Sequence, residues 1–234
     1  MAIRILLILV TSYILGSIPF GLILVKLSTG KDLRQIESGR TGGTNAGRAA
    51  GFWIGFLTAF FDGLKAALTV WIARALTPNL IWMEVFAPLV AVIGHNYSVF
   101  LMERSTEGTF RLRGGAGGAP FVGGAFGIWP PSLAILVPIG ALILYFVGYA
   151  SVTTMSTALI TTIVFTVRTL WFDAPWQYIA YGILGEMLLI WALRPNIHRL
   201  LSGNERLVGR RAKQLRQTPT SSSHSSSSSV SSSS

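Results

Sequence analysis

Three short segments of the chain gather the residue types that bind anions. The first runs from Ser38 to Arg48 and reads S-G-R-T-G-G-T-N-A-G-R. Its glycines free the backbone for tight turns in which N–H groups converge on an anion. Thr44 and Asn45 add side-chain donors, and Arg48 offers a bidentate grip on phosphate oxygens. A helix expected directly after Arg48 would turn its N-terminus toward the same anion. The competing reading is a flexible turn between two helices. The second segment, Arg113 to Gly118, again sets glycines before an apolar stretch. An anion nest at Gly114–Gly118 competes there with close helix packing through small residues, which is the better reading for Gly123 and Gly124. The third runs from Arg194 to Glu205. Asn196 and Arg199 stand three apart and share one face of a helix; the competing reading is a solvated helix end. Two further groups lie in apolar runs. Asp62 and Lys65 are three apart, and charges in such a setting face a cavity or each other, so a mutual structural pair is favoured over catalysis. His95 is a base, a phosphate donor or a buried structural residue, the last being the commoner outcome. Glu84 and Glu186 receive no role.

These segments are held between long apolar runs. Of 234 residues 51% are hydrophobic and 12% charged, against about one quarter charged in a soluble domain. Apolar runs cover Ile5–Leu27, Gly51–Leu76, Leu80–Leu101, Pro131–Tyr149, Val152–Leu170 and Pro175–Leu193, with a shorter Gly-rich stretch at Gly114–Trp129. Most approach the ~20 residues a helix needs to cross a bilayer. Continuous runs, rather than period-two alternation, point to helices and not to a barrel. The first run is too long for a signal-peptide core and lacks a cleavage site, so it is read as a retained helix. The expected fold is an all-α membrane protein of about seven transmembrane helices whose cytoplasmic loops form the active site. Residues 1–209 are the expected membrane domain. Residues 210–234 are a basic and then Ser-rich tail, unable to bury a core and expected to be disordered.

Charge sets the topology. The link Thr29–Arg48, the link Met102–Arg113 and the tail are basic, whereas Thr77–Asn79 is uncharged. Positive-inside logic places the three basic regions in the cytoplasm and the N-terminus outside. Only an odd number of passes returns the tail to the cytoplasm, so the short Gly114–Trp129 stretch must cross as well. The net charge of +10 includes seven Lys or Arg between Arg194 and Arg216. A topology signal accounts for most of it, with attraction to anionic head groups or phosphorylated substrates as the functional reading. No nucleic-acid motif accompanies the charge. With no cysteine, thiol chemistry and disulfides are excluded, and the three histidines have no metal-ligand spacing.

Several patterns then recur in order. Tyr13 to Gly21 reads Y-x-x-G-S-I-P-F-G, and Gly30 to Arg34 reads G-K-D-x-R. Ser38 to Arg48, the D-x-x-K of Asp62 and Lys65, Gly94 to Leu101, Arg113 to Gly117 and Leu193 to Glu205 follow. Together they resemble the acyl-phosphate-dependent glycerol-3-phosphate acyltransferases of bacteria, the PlsY family, over about Tyr13–Gly209. The resemblance implies that the 1-hydroxyl of glycerol 3-phosphate attacks the carbonyl of a fatty acyl phosphate, giving lysophosphatidic acid and phosphate in phospholipid synthesis. It implies a multi-pass protein of the bacterial inner membrane and no metal or organic cofactor. Glycerol 3-phosphate, acyl phosphate and membrane lipid are the implied partners, and the oligomeric state stays open. Ser38, Asn45, His95 and Asn196 are the expected catalytic residues. Thr44, Arg48, Arg111, Arg113, Gly114, Gly115, Gly117 and Arg199 are the expected substrate-binding residues.

Four positions depart from the family pattern. Ala116 and Leu193 replace an active-site Lys and His, Arg40 replaces an Asn, and Ser98 replaces a Pro. Arg40, Arg111 and Arg113 are the expected sources of the missing positive charge. The alternative is a non-catalytic paralogue that binds phosphorylated lipid or glycerol phosphate; a lipid transporter is disfavoured because no inverted repeat is present. The charge pattern gives a direct test of orientation. Cysteines introduced as Ser28→Cys, Thr106→Cys and Thr218→Cys are expected to be shielded from an impermeant thiol reagent outside intact cells, and outside labelling of Thr106→Cys overturns the orientation.

Overall fold

The computed structural model describes residues 1–104, 108–209 and 211–212. The order of elements is α1 (Ala2–Ser17), α2 (Phe20–Thr29), α3 (Gly43–Ala50), α4 (Phe52–Leu76), α5 (Ile81–Asn96), β1 (Ser98–Arg104), β2 (Phe110–Arg113), α6 (Gly118–Ile128), α7 (Ser132–Val147), α8 (Ala150–Trp171) and α9 (Gln177–Leu201). Each of the seven apolar stretches becomes helix. Three are long and apolar enough to cross a membrane on those criteria alone: α1 with α2, α4 and α8. Helices α5, α6 and α7 are apolar but shorter, and α9 is long but carries Glu186, Arg194 and Arg199.

The first apolar run is broken at Ile18 and Pro19. Proline pushes the residue before it out of helical geometry, and Ile18 is extended at φ −60°, ψ 117°. The third run ends earlier than its hydropathy suggests. Helix α5 stops at Asn96, and Ser98–Arg104 pairs antiparallel with Phe110–Arg113. A short apolar run of β-branched and aromatic residues such as Val99-Phe100-Leu101 does not distinguish helix from strand by hydropathy. Ser98 fixes the switch by donating its Oγ–H to the Ser17 carbonyl at 2.6 Å. Helix α3 also begins earlier than expected, at Gly43, so Thr44 to Arg48 are helical.

Side-chain contacts mark the two ends of the bundle. At one end Arg74 of α4 pairs with Glu84 of α5 at 2.6 Å and donates to the Ile128 carbonyl at the close of α6. Tyr178 of α9 donates to the same Glu84 oxygen. At the other end His95, Gly117, Ser151 and Asn196 line one cavity. Helix α6 therefore joins the two ends, and the chain between Ala119 and Ala150 leaves the cavity end and returns to it. A helix that joins the two ends is what charge parity asks of the short Gly-rich stretch.

The core between the ends is built from Phe121, Phe165, Tyr181 and Leu189. Phe121 and Tyr181 stack at 4.9 Å, and the buried Tyr181 hydroxyl donates to the Phe121 carbonyl at 2.6 Å, as a buried phenol requires. Small residues bring helix backbones together: Gly123 of α6 lies on the Gly63 backbone of α4, and Gly16 of α1 on the Ala91 backbone of α5. Beyond the expected boundary at 209 the chain still packs, with Arg211 donating to the Val147 carbonyl. The Ser-rich run lies outside the described residues. A Cβ at Gly16 would collide with the Ala91 carbonyl, and overpacking of this kind costs about 1–3 kcal/mol. Gly16→Ala is expected to lower the thermal midpoint of the detergent-solubilised protein, whereas Gly42→Ala, where a Cβ meets open space, is expected to leave it nearly unchanged.

Candidate active site

A cavity of about 180 Å³ opens at the basic end of the bundle. Six separated segments line it: Ser38–Arg48, Ala59 with Asp62, His95, Ala116–Ala119, Ala150–Thr154 and Leu193–Arg206. Of the residues singled out in the sequence, Ser38, Thr44, Asn45, Arg48, His95, Gly117, Asn196 and Arg199 come together here. Arg111, Arg113, Gly114 and Gly115 do not line it; they line a neighbouring cleft that shares Ser38, Arg40 and Arg199 with the cavity.

The roof is made of two helix starts. Gly42 precedes α3 and Gly117 precedes α6, and neither helix has a side-chain cap. The Asn45 N–H already donates to the Gly42 carbonyl and Pro120 has no N–H, which leaves the N–H groups of Gly43 and Thr44 and of Gly118 and Ala119 without a partner in their own helix; the helix dipole adds positive potential at the same place. Both starts border the cavity. Gly117 has φ +88°, a conformation that favours glycine. Asn45 plays an inward part. Its Nδ2 donates to the Ile36 and Arg40 carbonyls, both at 2.9 Å, so it shapes the Ser38 loop; only its buried Oδ1 remains without a partner among the described residues.

The floor is a buried charge cluster. Lys65 Nζ lies 2.7 Å from Asp62 Oδ1, 2.8 Å from the Ile18 carbonyl and 3.1 Å from His95 Nδ1. The same Nδ1 lies 3.4 Å from Asp62 Oδ1: accepting from the ammonium it leaves the ring proton on Nε2, and donating to Asp62 it leaves Nε2 an acceptor. Nε2 faces Gly115, where any Cβ would strike it. The Gly115 N–H in turn donates to the His95 carbonyl at 2.9 Å. Asp62 and Lys65 are thus the mutual pair read from the sequence, with His95 as its third member.

The rim is cationic. Arg48 reaches the Leu207 carbonyl at 3.5 Å, and Arg40 donates to the Ala192 carbonyl at 2.9 Å. Burial pulls the pKa of both guanidinium groups down, and the nearby Arg199 adds to the effect on Arg40. A bound anion would relieve that cost. On α9, Asn196 donates to Glu205 Oε1 at 2.7 Å and Arg199 to Glu205 Oε2 at 3.3 Å. One carboxylate therefore sets both side chains and leaves the buried Asn196 Oδ1 unpartnered among the described residues.

The hairpin is tied to this rim. Glu103 of β1 pairs with Arg34 at 3.1 Å and with Arg113 at 2.8 Å. Asp32 holds Arg34 from the other side at 2.6 Å, and the Arg34 hydrogen bonds hold its carboxyl down at about 2. The Thr41 N–H donates to the Gly114 carbonyl at 3.3 Å. These contacts carry Arg111 and Arg113 away from Ala116, which lines the cavity itself. The cations that border both spaces are Arg40 and Arg199.

Three contributors escaped the sequence reading. Glu205 closes the last motif, and its signal is a carboxylate set among arginines. Ser151 and Thr154 line the cavity from the start of α8. Ser151 is 1% exposed and its hydroxyl has no partner among the described residues; no pattern marks it between two apolar runs.

The fold and site define a cavity bordered by arginines and two helix N-termini at one end of an apolar helical bundle. Comparison with known proteins gives that class a family. A family model described as glycerol-3-phosphate acyltransferase matches residues 6–203. A glycerol-3-phosphate acyltransferase of Thermus thermophilus is 36% identical over 205 residues, covering 88% of this chain and 96% of the relative. One of Rubrobacter xylanophilus is 36% identical over 207 residues with the same coverages. The crystal structure of PlsY (YgiH), an integral membrane glycerol 3-phosphate acyltransferase in its glycerol 3-phosphate form, superposes with a TM-score of 0.75 at 30% identity. It covers 91% of this chain and 99% of its own. Its lysophosphatidic acid form gives 0.73 at 28%. The chain belongs to the glycerol-3-phosphate acyltransferase family, and it is an integral membrane protein.

Removing one partner of a buried ion pair costs about 3–5 kcal/mol because the other charge is left unmatched. Asp62→Asn and Lys65→Met are each expected to lower thermal stability strongly. The double variant is expected to recover part of the loss, and strict additivity in such a cycle would refute the coupling.

Proposed function

We propose that this chain transfers a fatty acyl group from acyl phosphate to the 1-hydroxyl of glycerol 3-phosphate, giving lysophosphatidic acid and inorganic phosphate. One observation carries the reading. Buried polar groups in proteins are nearly always hydrogen-bonded, yet Asn45 Oδ1, Asp62 Oδ2, Ser151 Oγ and Asn196 Oδ1 have no partner among the described residues. All four belong to residues lining one cavity. That cavity is roofed by two helix N-termini and rimmed by Arg40, Arg48, Arg199 and Arg206. Such a set suits a ligand that carries both a phosphate and hydroxyl groups.

In this reading Arg48, Arg199 and the N–H groups of Gly43, Thr44, Gly118 and Ala119 hold phosphate oxygens. Ser38 and the free Asn196 oxygen orient the glycerol hydroxyls, and His95 presents Nε2–H to the reacting carbonyl oxygen or a phosphate oxygen. The 1-hydroxyl oxygen bonds to the acyl carbonyl carbon and the carbon–oxygen bond to phosphate breaks. The hydroxyl proton passes to a phosphate oxygen, and inorganic phosphate leaves. An acyl phosphate is already activated, so positioning and charge stabilisation supply the acceleration. Ala59, Ala116, Ala119 and Ala150 line the same cavity and leave room for the first carbons of an acyl chain. Residues 1–209 form the transferase domain, with the cavity on the cytoplasmic side of the inner membrane and the N-terminus outside.

The second reading is a non-catalytic binding paralogue. It is favoured by one fact: Ala116 and Leu193, which replace the family's polar Lys and His, both lie in the cavity lining. Turnover by the purified protein with glycerol 3-phosphate and palmitoyl phosphate separates the two. Activity with palmitoyl phosphate and not with palmitoyl-CoA is expected, and no activity with either donor favours the paralogue. A charge-assisted hydrogen bond contributes about 1.5–3 kcal/mol, so Arg48→Ala is expected to weaken glycerol 3-phosphate use roughly ten- to a hundredfold. Arg40→Ala is expected to slow turnover, and Ala116→Lys, which returns a cation to the cavity, is expected to restore part of it. Full activity of the Arg40→Ala, Arg48→Ala double variant would overturn the assignment of the rim.

A further inference from the structure

The cleft beside the cavity is the larger of the two, at about 490 Å³. Five arginines line it, Arg40, Arg111, Arg113, Arg194 and Arg199, and no carboxylate does. The catalytic cavity, by contrast, includes Asp62 and Glu205 in its wall. Guanidinium groups stay charged at any physiological pH; Arg113 and Arg199 are paired with Glu103 and Glu205, whereas Arg40, Arg111 and Arg194 have no carboxylate partner among the described residues, so the cleft holds net positive charge. A buried polar group points the same way. Asn96 lines the cleft, is 5% exposed, and neither atom of its amide has a hydrogen-bond partner among the described residues. Such a group calls for a ligand or solvent partner. The arginines are also held in place. Glu103 fixes Arg113, the Ala192 carbonyl fixes Arg40, and Arg194 lies 3.3 Å over the Trp191 ring while donating to the Trp191 carbonyl.

We propose that this cleft is a second phosphoryl-binding site, next to the catalytic cavity, which takes the phosphate group of a membrane-borne amphiphile. The phosphoryl chemistry follows from the arginine set and the Asn96 amide. The amphiphile follows from the lip: Tyr97 and Trp191 line the cleft, and Trp191 is 55% exposed on α9, close to where the apolar run ends. Aromatic rings of this kind gather at the membrane–water boundary. Ser38, Arg40 and Arg199 border both spaces, so a phosphoryl group held in the cleft is one side chain away from the reaction. The site's place in the reaction, as a station for an arriving donor or a departing product, rests on the acyltransferase reading; the site itself does not.

Equilibrium dialysis of the full chain in neutral detergent, with radiolabelled inorganic phosphate, tests it. The wild type is expected to bind two phosphates per chain. Arg48→Ala is expected to lose one. The Arg111→Gln, Arg194→Gln double variant is expected to weaken the other roughly tenfold or more. Leu112→Glu, which adds a carboxylate at an exposed lining position, is expected to abolish it. 1-Palmitoyl-glycerol 3-phosphate is expected to displace the cleft phosphate at lower concentration than glycerol 3-phosphate does. One phosphate per chain in the wild type, or two in both cleft variants, overturns the site even if the transferase assay succeeds. Equal displacement by the two esters overturns the membrane-borne assignment. Two phosphates per chain with no turnover would support the cleft and count against the acyltransferase reading alone.

Discussion

The Lys65 ammonium governs the arrangement of this molecule. Its side chain is 3% exposed, and a charge so placed within an apolar bundle is costly unless fully matched. The match comes from three elements. Asp62 supplies the opposite charge from the same helix, one turn back. The break at Pro19 leaves the Ile18 carbonyl outside the helical ladder and available to the ammonium. His95 closes the set from the end of α5. A single requirement therefore fixes the kink in the first span, the register of α4 and the orientation of the imidazole. The opening motif, Tyr13 to Gly21, belongs to this structure more than to the substrate. Tyr13 donates to the Tyr97 carbonyl, the Ser17 carbonyl takes Ser98, and Ile18 serves Lys65.

From His95 the constraint passes outward by backbone contact. Gly115 lies against the imidazole and Gly114 against the His95 and Asn96 carbonyls, with no space for a Cβ at either. The Gly114 carbonyl then accepts from Thr41, which draws the Ser38 loop over the site. Asn45 holds that loop from within. The two helix starts that roof the cavity are thus located by the same contacts that seat the histidine. This explains how a cavity assembled from six distant segments can be well formed around very few side chains. It also explains why Arg40 bears on both spaces: the loop that carries it runs along the wall between them.

Much of this was legible in the sequence, because two of its determinants are local. Bilayer-length apolar runs are visible as runs, and the charge of each link fixes which links share an end. Parity alone required the eleven-residue α6 to cross, although it is too short to be recognised by length. The glycine-rich segments could be grouped because they fell in links of one sign. What stayed hidden depended on packing. Ser98 switches the chain from helix to hairpin through a partner 81 residues away. Asn45 resembles a ligand donor in sequence, but its amide hydrogens go to loop carbonyls. Arg111 and Arg113 sit close to Ala116 along the chain, yet the hairpin's ties to Glu103 turn them into another cleft. Glu205 and Ser151 carry no pattern of their own.

The shortness of α6 has a consequence for substrate access. At about 1.5 Å per residue its eleven residues cover only some 16 Å, yet they run from the cavity at Gly117 to the Ile128 carbonyl that Arg74 holds at the far end. A hydrocarbon core is about 30 Å thick. If Arg74 and Glu84 stand at the far membrane surface, the cavity lies below the level of the head groups on its own side. A soluble phosphate ester must then descend past the arginine rim, which attracts it. An acyl chain need not be lifted out of the bilayer for its carbonyl to reach the same depth. The two proposed substrates differ in solubility but meet at a plane both can reach, one through the polar mouth and the other sideways. The length of one helix sets that plane.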